Sequence, residues 1–307
     1  MNKDGFASRP SLLNMERKLR YVVGKEFENK TIQQFLKEKQ YSHGCLVHLK
    51  KTEKGILKNG VWAYTRDLLK EGDVLEITFL EEVSSDHIVP VKLPLSIVYE
   101  DEDLLVISKE ADTPIHPSLG NYENSLANGV AYYYREQGAS FVFRCINRLD
   151  RDTTGLVLIA KNMLSAAVLS QEMRNRKIHR TYLAVVKGIL PKEGTIDLPI
   201  GRKEGSAIER CIDFERGERA VTHYERLYTN DVDSLAKIWL ETGRTHQIRV
   251  HMKAIGHPLP GDFLYHQDLS VIGRQALHSW RLEFFHPITG EKLFFEQPLP
   301  EDMRKLL

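Results

Sequence analysis

The chain has 307 residues, 42% of them hydrophobic and 28% charged, a balance that suits one large globular domain or a small and a large one. No apolar run approaches the roughly 18 residues a membrane span needs, and Met1–Phe6 lacks the apolar core of a secretion signal. Cys45, Cys145 and Cys211 are odd in number and widely scattered, which excludes a disulfide framework and a cysteine-held metal and points to a reducing cytoplasm. The net charge of +1 hides an asymmetry: residues 1–60 hold thirteen Lys or Arg against six Asp or Glu, and the remainder holds 30 against 36. A basic N-terminal part on a mildly acidic body implies a polyanion contact made mainly by that part, although a merely solvated basic face has the same composition.

In chain order, residues 1–14 read as a poorly ordered start. Thr31 is a capping residue for a helix whose apolar face carries Ile32, Phe35 and Leu36. Lys58-Asn-Gly-Val-Trp is a turn into a strand, and Glu71-Gly-Asp-Val-Leu is a tight turn into another. The stretch from Glu81 to Pro94 is polar and proline-marked, as a linker is. The expected division is therefore a small module at 15–85, a linker at 86–94 and a large domain at 95–307.

Within the large domain, 97–109 reads as a hairpin with an acidic turn. Leu126, Val130 and Tyr133 recur at helical spacing, as do Leu164, Val168, Leu169 and Met173. The second helix leads into a basic patch, Arg174 to Arg180, and then a strand from Thr181. Later strands are expected at 221–227, 236–241, 280–285 and 292–296, with a Pro287-Ile-Thr-Gly turn before the last. Few helices separate these strands, so the sheet should be mixed and mostly antiparallel, an α+β fold with flanking helices.

Two stretches carry the chemistry. Asn147-Arg-Leu-Asp-Arg-Asp-Thr-Thr-Gly155 is a charged loop followed by Leu156–Ala160, an apolar run of buried-strand length. Charged residues held by a stiff element are the usual arrangement of a site, though a solvated surface turn would look similar. Thr242-Gly-Arg-Thr-His-Gln-Ile-Arg-Val-His-Met reads as a helix capped by Thr245, stopped by Gly256 and buried along Ile248, Met252 and Ile255. His246, His251 and His257 lack the spacing and partners of a zinc site.

The first stretch resembles the signature of the RluA-type pseudouridine synthases, H-R-L-D-x-x-T-S-G before an apolar strand. It departs from that pattern at Asn147, where His is usual, and at Thr154, where Ser is usual. The second resembles the family's G-R-T-H-Q-[IL]-R-V-H motif and its G-H-P-[IL]-x-G-D ending, here Gly256 to Asp262. Arg180-Thr-Tyr-Leu-Ala resembles K-x-Y-x-A, and Pro199-Ile-Gly-Arg202, Thr222-His-Tyr224 and Leu277–Glu291 match further. By this resemblance, which covers about Leu95 to Pro300, Asp150 is the catalytic aspartate, Arg249 its arginine partner and Tyr182 the tyrosine of the site. It also implies that Arg148, Arg202 and Arg244 contact RNA. The N-terminal order of helix, turn and strands resembles a degenerate form of the small RNA-binding module shared by a ribosomal protein and some tRNA synthetases.

The resemblance implies an enzyme that acts on a uridine in a structured rRNA or tRNA, as a monomer, with no metal, nucleotide or redox cofactor. No P-loop or G-x-G-x-x-G run argues for one. Two other classes compete. Asp150-Arg-Asp-Thr-Thr resembles the D-x-D-x-T loop of haloacid-dehalogenase-like phosphatases, but that loop needs an apolar strand before it, where Phe143–Leu149 is broken by charge. A non-catalytic RNA-binding protein on the same fold would have no use for Asp150, Tyr182 and Arg249 together.

Overall fold

The computed structural model describes residues 15–81, 85 and 87–307. The expected poorly ordered start and part of the expected linker, 82–84 and 86, lie outside the described residues.

The N-terminal part is a four-stranded antiparallel sheet of β1 (Met15–Val22), β2 (Ile56–Lys58), β3 (Val61–Trp62) and β4 (Val74–Glu81), in the order β1-β4-β2-β3. Helices α1 (Ile32–Glu38) and α2 (His43–Lys51) cover it. Thr31 caps α1 as expected: its Oγ1 accepts from the Gln34 N–H at 3.2 Å, and the Gln34 side chain returns the bond to Thr31 N–H at 2.8 Å. Asn59 and Gly60 both take positive φ, 54° and 78°, as a two-residue hairpin turn requires. Phe35, Leu36, Leu46, Leu49, Ile77 and Phe79 fill the core beneath. Strand β1 and helix α2 were not anticipated. The inward positions of β1 include Arg17 and Tyr21 beside Leu19, so no apolar run announces it.

The rest of the chain builds a ten-stranded sheet. Its elements are β5 (Ser96–Glu100), β6 (Leu104–Lys109), α3 (Leu126–Glu136), β7 (Arg144–Cys145), β8 (Thr154–Ala160), α4 (Met163–Arg174), β9 (His179–Lys187) and β10 (Glu193–Asp197). A separate two-stranded ribbon follows, β11 (Ile200–Arg202) and β12 (Arg210–Ile212). Then come β13 (Val221–Thr229), β14 (Asp233–Leu240), α5 (Gln247–Ala254), β15 (Leu277–Phe285), β16 (Lys292–Glu296) and α6 (Glu301–Arg304). The order is β10-β13-β14-β9-β15-β8-β6-β5, with β16 beside β15 and β7 beside β8. Every pairing is antiparallel except β15 with β8, which makes the sheet mixed and mostly antiparallel as expected.

Alternation along β6 and β8 sorts the two faces. Leu105, Ile107, Val157 and Ile159 meet α3 and α5, through residues such as Val130, Ile248 and Met252. Leu104, Val106, Leu156 and Leu158 meet Leu169 of α4 and Phe284. Strand β8 is buried along its whole length, which explains why it reads as a continuous apolar run. Its one parallel contact is tight: Gly155 has φ 104°, and a Cβ there would lie 2.2 Å from the Ser279 carbonyl oxygen.

The two sheets are fastened together. Leu164 and Val168, on the far side of α4, enter the N-terminal core. Arg17 forks onto Asp103 at 2.9 and 2.8 Å, and Arg144 pairs with Glu81 at 2.8 Å. Asp103 also accepts from Asn162 at 2.7 Å and Ser165 at 3.2 Å, so the turn before β6, the start of α4 and β1 share one buried carboxylate.

Candidate active site

The charged loop before β8 is fixed from several sides. Asn147 is buried, and its amide bonds the strand at both ends: Nδ2 donates to the Leu156 carbonyl at 3.1 Å and Oδ1 accepts from Leu158 N–H at 2.7 Å. A side chain carrying one donor and one acceptor is what that position uses. Thr154 Oγ1 meets His278 Nδ1 at 2.8 Å, so both departures from the family signature find local partners. Thr153 N–H closes a turn on the Asp150 carbonyl at 3.1 Å. The Lys109 ammonium, 1% exposed, donates to the carbonyls of Arg151 and Glu110, each at 2.7 Å.

This turn separates two neighbouring carboxylates. Asp152 is buried, accepts from Asp112 N–H at 3.2 Å and is paired with Arg151 at 3.0 Å. Asp150 instead keeps a quarter of its side chain exposed and lines a cleft of about 560 Å³. Tyr182 of β9, Ile248 and Arg249 of α5 and Leu277 of β15 form its walls, with Arg148, Arg176, Arg180 and Arg244 around it.

Arg249 is 2% exposed and donates through Nη1 to Asp150 Oδ2 at 2.8 Å. Its planar fork goes elsewhere, Nε and Nη2 each reaching Asp262 at 2.7 Å. The two-pronged grip is therefore made on Asp262, and Asp150 takes the remaining donor. The geometry explains the division: a buried guanidinium needs a fully buried partner in its plane, and Asp262, 0% exposed, supplies it. Burial alone would favour the neutral guanidine, but the bond to Asp262 and the charges of Asp150 and Asp262 more than reverse this and raise its pKa. Asp262 is brought in by Gly261 at φ 74°, where a Cβ would sit 2.0 Å from the Arg274 carbonyl oxygen.

Helix α5 does not start as expected. His246, not Thr245, is its first flanking residue, in left-handed conformation at φ 58° and with no side-chain cap. Gln247 closes the turn instead, accepting from the Thr242 hydroxyl at 2.8 Å and Arg244 N–H at 3.0 Å. The unusual backbone puts His246 in the cleft, with Nδ1 2.9 Å from the Tyr265 hydroxyl and Nε2 4.0 Å from Asp150. Burial lowers its pKa against the opposing pull of Asp150. Burial raises that of Tyr182, with Arg180 opposing and Asp150 adding to the effect. Burial also pushes the Lys109 ammonium down to about 7, against Asp152 and Asp150.

Five of the six residues singled out from the sequence share the cleft: Asp150, Tyr182, Arg249, Arg148 and Arg244. Arg148 is exposed and makes no hydrogen bond or ion pair with other described residues, whereas Arg244 is tied to Glu218 and to the Arg219 carbonyl. Arg202 does not join them. It lies on the β11–β12 ribbon opposite Arg210, in a separate open recess with Lys203, Asp213 and Arg216. Sequence reading missed Asp262, Lys109 and His246 as parts of the site. A Gly-Asp pair after the helix was a signal for Asp262; nothing local distinguishes Lys109 from any strand-end lysine.

Comparison with known proteins identifies the family. Residues 103–254 match the family model described as RNA pseudouridylate synthase. A Bacillus subtilis protein described as an uncharacterized RNA pseudouridine synthase, YjbO, is 42% identical over 278 residues, 90% of this chain and 98% of that one. The ribosomal large subunit pseudouridine synthase D of Xanthomonas campestris pv. campestris is 36% identical over 267 residues, 82% of this chain and 80% of its own. Among solved structures, human RNA pseudouridylate synthase domain containing 1 superposes with a TM-score of 0.55 at 30% identity, covering 67% of this chain and 83% of that one. The chain belongs to the RNA pseudouridylate synthase family, enzymes that isomerise uridine in RNA to pseudouridine.

Proposed function

We propose that this enzyme modifies uridines of large-subunit ribosomal RNA, that Asp150 is its catalytic carboxylate, and that Arg249 and Tyr182 act with it. The observation that carries this reading is a partly exposed carboxylate in a cleft large enough for a base, held by one donor of an otherwise buried arginine. The reaction cuts the uracil–ribose nitrogen bond, turns the base and rejoins it through carbon 5. A carboxylate taking part must stay ionised away from bulk water, which an adjacent guanidinium favours. The Arg249–Asp262 fork fixes that guanidinium, and through it the orientation of Asp150.

A uridine in a stem-loop is extruded before it can reach Asp150, at a cost of a few kcal/mol. Arg148, exposed beside the cleft, fills the gap left in the stack. Arg244 contacts the RNA backbone, and the ribbon carrying Arg202 meets the RNA beyond the cleft. Residues 15–85 act as a basic RNA-binding unit beside the catalytic unit at 95–307, and the protein works as a cytoplasmic monomer. Ribosomal RNA as substrate rests on the likeness to the large-subunit enzymes. Incubation with unmodified rRNA transcripts, followed by pseudouridine mapping, tests it; modification confined to a tRNA pool would overturn the choice of substrate.

A further inference from the structure

Beside the cleft lies a second recess of about 220 Å³ that the reaction described above does not use. The two share Met173, Arg176, Arg180, Leu240 and Glu241, so they adjoin around the ends of β9 and β14. Sheet register places Trp239, at the far end of the recess, on the opposite face from Tyr182. Trp239 pairs with Thr181, and Tyr182 with Ile238, so Trp239 and Tyr182 point to opposite sides. Strand exposure agrees: Ile238 is buried in the core that holds Tyr182, whereas Trp239 is 39% exposed.

Three features give the recess its chemistry. The Trp239 indole is a large aromatic ring left open on a sheet surface. His223, opposite it on β13, backs one face of the ring at 5.5 Å and 18°. Trp239 is part of the recess wall, together with Ile178–Thr181 of the β9 side, whereas His223 is not. The Lys237 ammonium lies over the ring, 5.5 Å from its centroid. At the junction stands Arg180. It has no carboxylate partner among the described residues, and its Nε is buried without a hydrogen-bond partner. Arg180 also bonds the Tyr182 side chain, and a guanidinium between two pockets with no carboxylate partner and a spare buried N–H fits a phosphodiester with a base beyond it.

Building on the reading of the cleft as the uridine site, we infer that the second recess holds the RNA strand flanking the extruded uridine. Arg180 takes a backbone phosphate of the link, and Trp239 stacks on the base one or two nucleotides from the target. Binding there adds affinity without touching the reacting atoms, because Trp239 lies across the sheet from Asp150 and Tyr182. A stack of this kind is sequence-tolerant, since every base has a π-face.

The test uses the full-length protein, wild type and Trp239→Ala, with Trp239→Phe as the conservative variant. The modified uridine is first mapped in a pool of unmodified rRNA and tRNA transcripts, and a stem-loop spanning it is made. Abasic sites are then placed singly at the two positions on each side of the target. In wild type one of the four should raise the KM by about tenfold, of the order of one lost stack. Trp239→Ala should raise the KM of the intact stem-loop by a similar factor, leave the saturating single-turnover rate within about twofold and be indifferent to that same abasic site. Trp239→Phe should restore most of the difference. Methylphosphonate at the adjoining linkage should weaken wild type and leave Arg180→Gln unmoved. If the intact stem-loop is modified but all four abasic sites cost Trp239→Ala as much as wild type, the subsite is overturned while the enzyme reading stands. If wild type makes no pseudouridine in the pool, the enzyme reading falls first and the subsite with it.

Discussion

The cleft and the N-terminal sheet use charge in opposite ways. Around Asp150 the charges are buried and mutually committed: Arg249 holds Asp150 and Asp262, and Lys109 sits under the loop on two carbonyls. In the N-terminal part lysines are spread over solvent; Lys50 and Lys51 at the end of α2 and Lys54 in the turn after it are all exposed and in no ion pair with described residues. Buried charge fixes geometry and is costly to disturb, whereas exposed charge is screened and acts through counterion release. The first arrangement suits bond rearrangement and the second suits holding a polyanion.

The comparison breaks most visibly at Asp150. Asp150→Asn keeps shape and removes charge, so single-turnover pseudouridine formation should fall by at least about 10³-fold, within the range for loss of a positioned acid–base group. RNA binding should be nearly unchanged. Asp152→Asn, two residues away but turned into the protein, should keep measurable turnover. An essential Asp152 beside a dispensable Asp150 would return the phosphatase loop to contention.

Next comes Arg249. Replacing it with Ala strands Asp262 at 0% exposure, which should cost about 3–5 kcal/mol in urea unfolding and most of the activity. Arg249→Lys retains charge but cannot keep the fork on Asp262 and the bond to Asp150 together. Single-turnover rates should therefore rank wild type, Lys, Ala. Equal rates for Lys and wild type would show that charge alone suffices.

Lys109 sharpens the contrast through pH. Burial pushes its pKa in the folded protein down to about 7, below the ordinary lysine value of 10.5, so between these the unfolded chain binds more protons and stability rises with pH. Below 7 both states are protonated and this contribution is flat. Against Lys109→Met, wild type should gain a few kcal/mol in urea unfolding from pH 7 to 9.5. Parallel curves for the two proteins would show that Lys109 stays charged.

The smallest effect belongs to those surface lysines. Their joint change to Gln should leave turnover at saturating RNA intact while reducing the slope of log affinity against log salt by up to about 3. The substitutions are cleaner than deleting 1–85, because deletion would uncover Leu164 and Val168 and leave Asp103 without Arg17. An unchanged slope would reduce the basic N-terminal balance to a solvated surface.

Much of this was legible in the chain because it is local. The capping pattern at Thr31, the Asn59-Gly60 turn and the unbroken apolar run of β8 each follow from neighbours within a few residues. So does the grouping of Asp150 with a rigid strand, and the family motifs carried Tyr182 and Arg249 to the same site. The tertiary structure decided what depends on distant groups meeting. It gave the arginine fork to Asp262, because only a second, fully buried carboxylate could satisfy a buried guanidinium. It turned the β11–β12 ribbon so that Arg202 faces its own recess, a direction no motif encodes. It buried Lys109 beneath the loop, since which strand end lies there follows from sheet order. Periodicity records how each segment divides between core and water; which buried polar groups become partners is settled only when the segments pack.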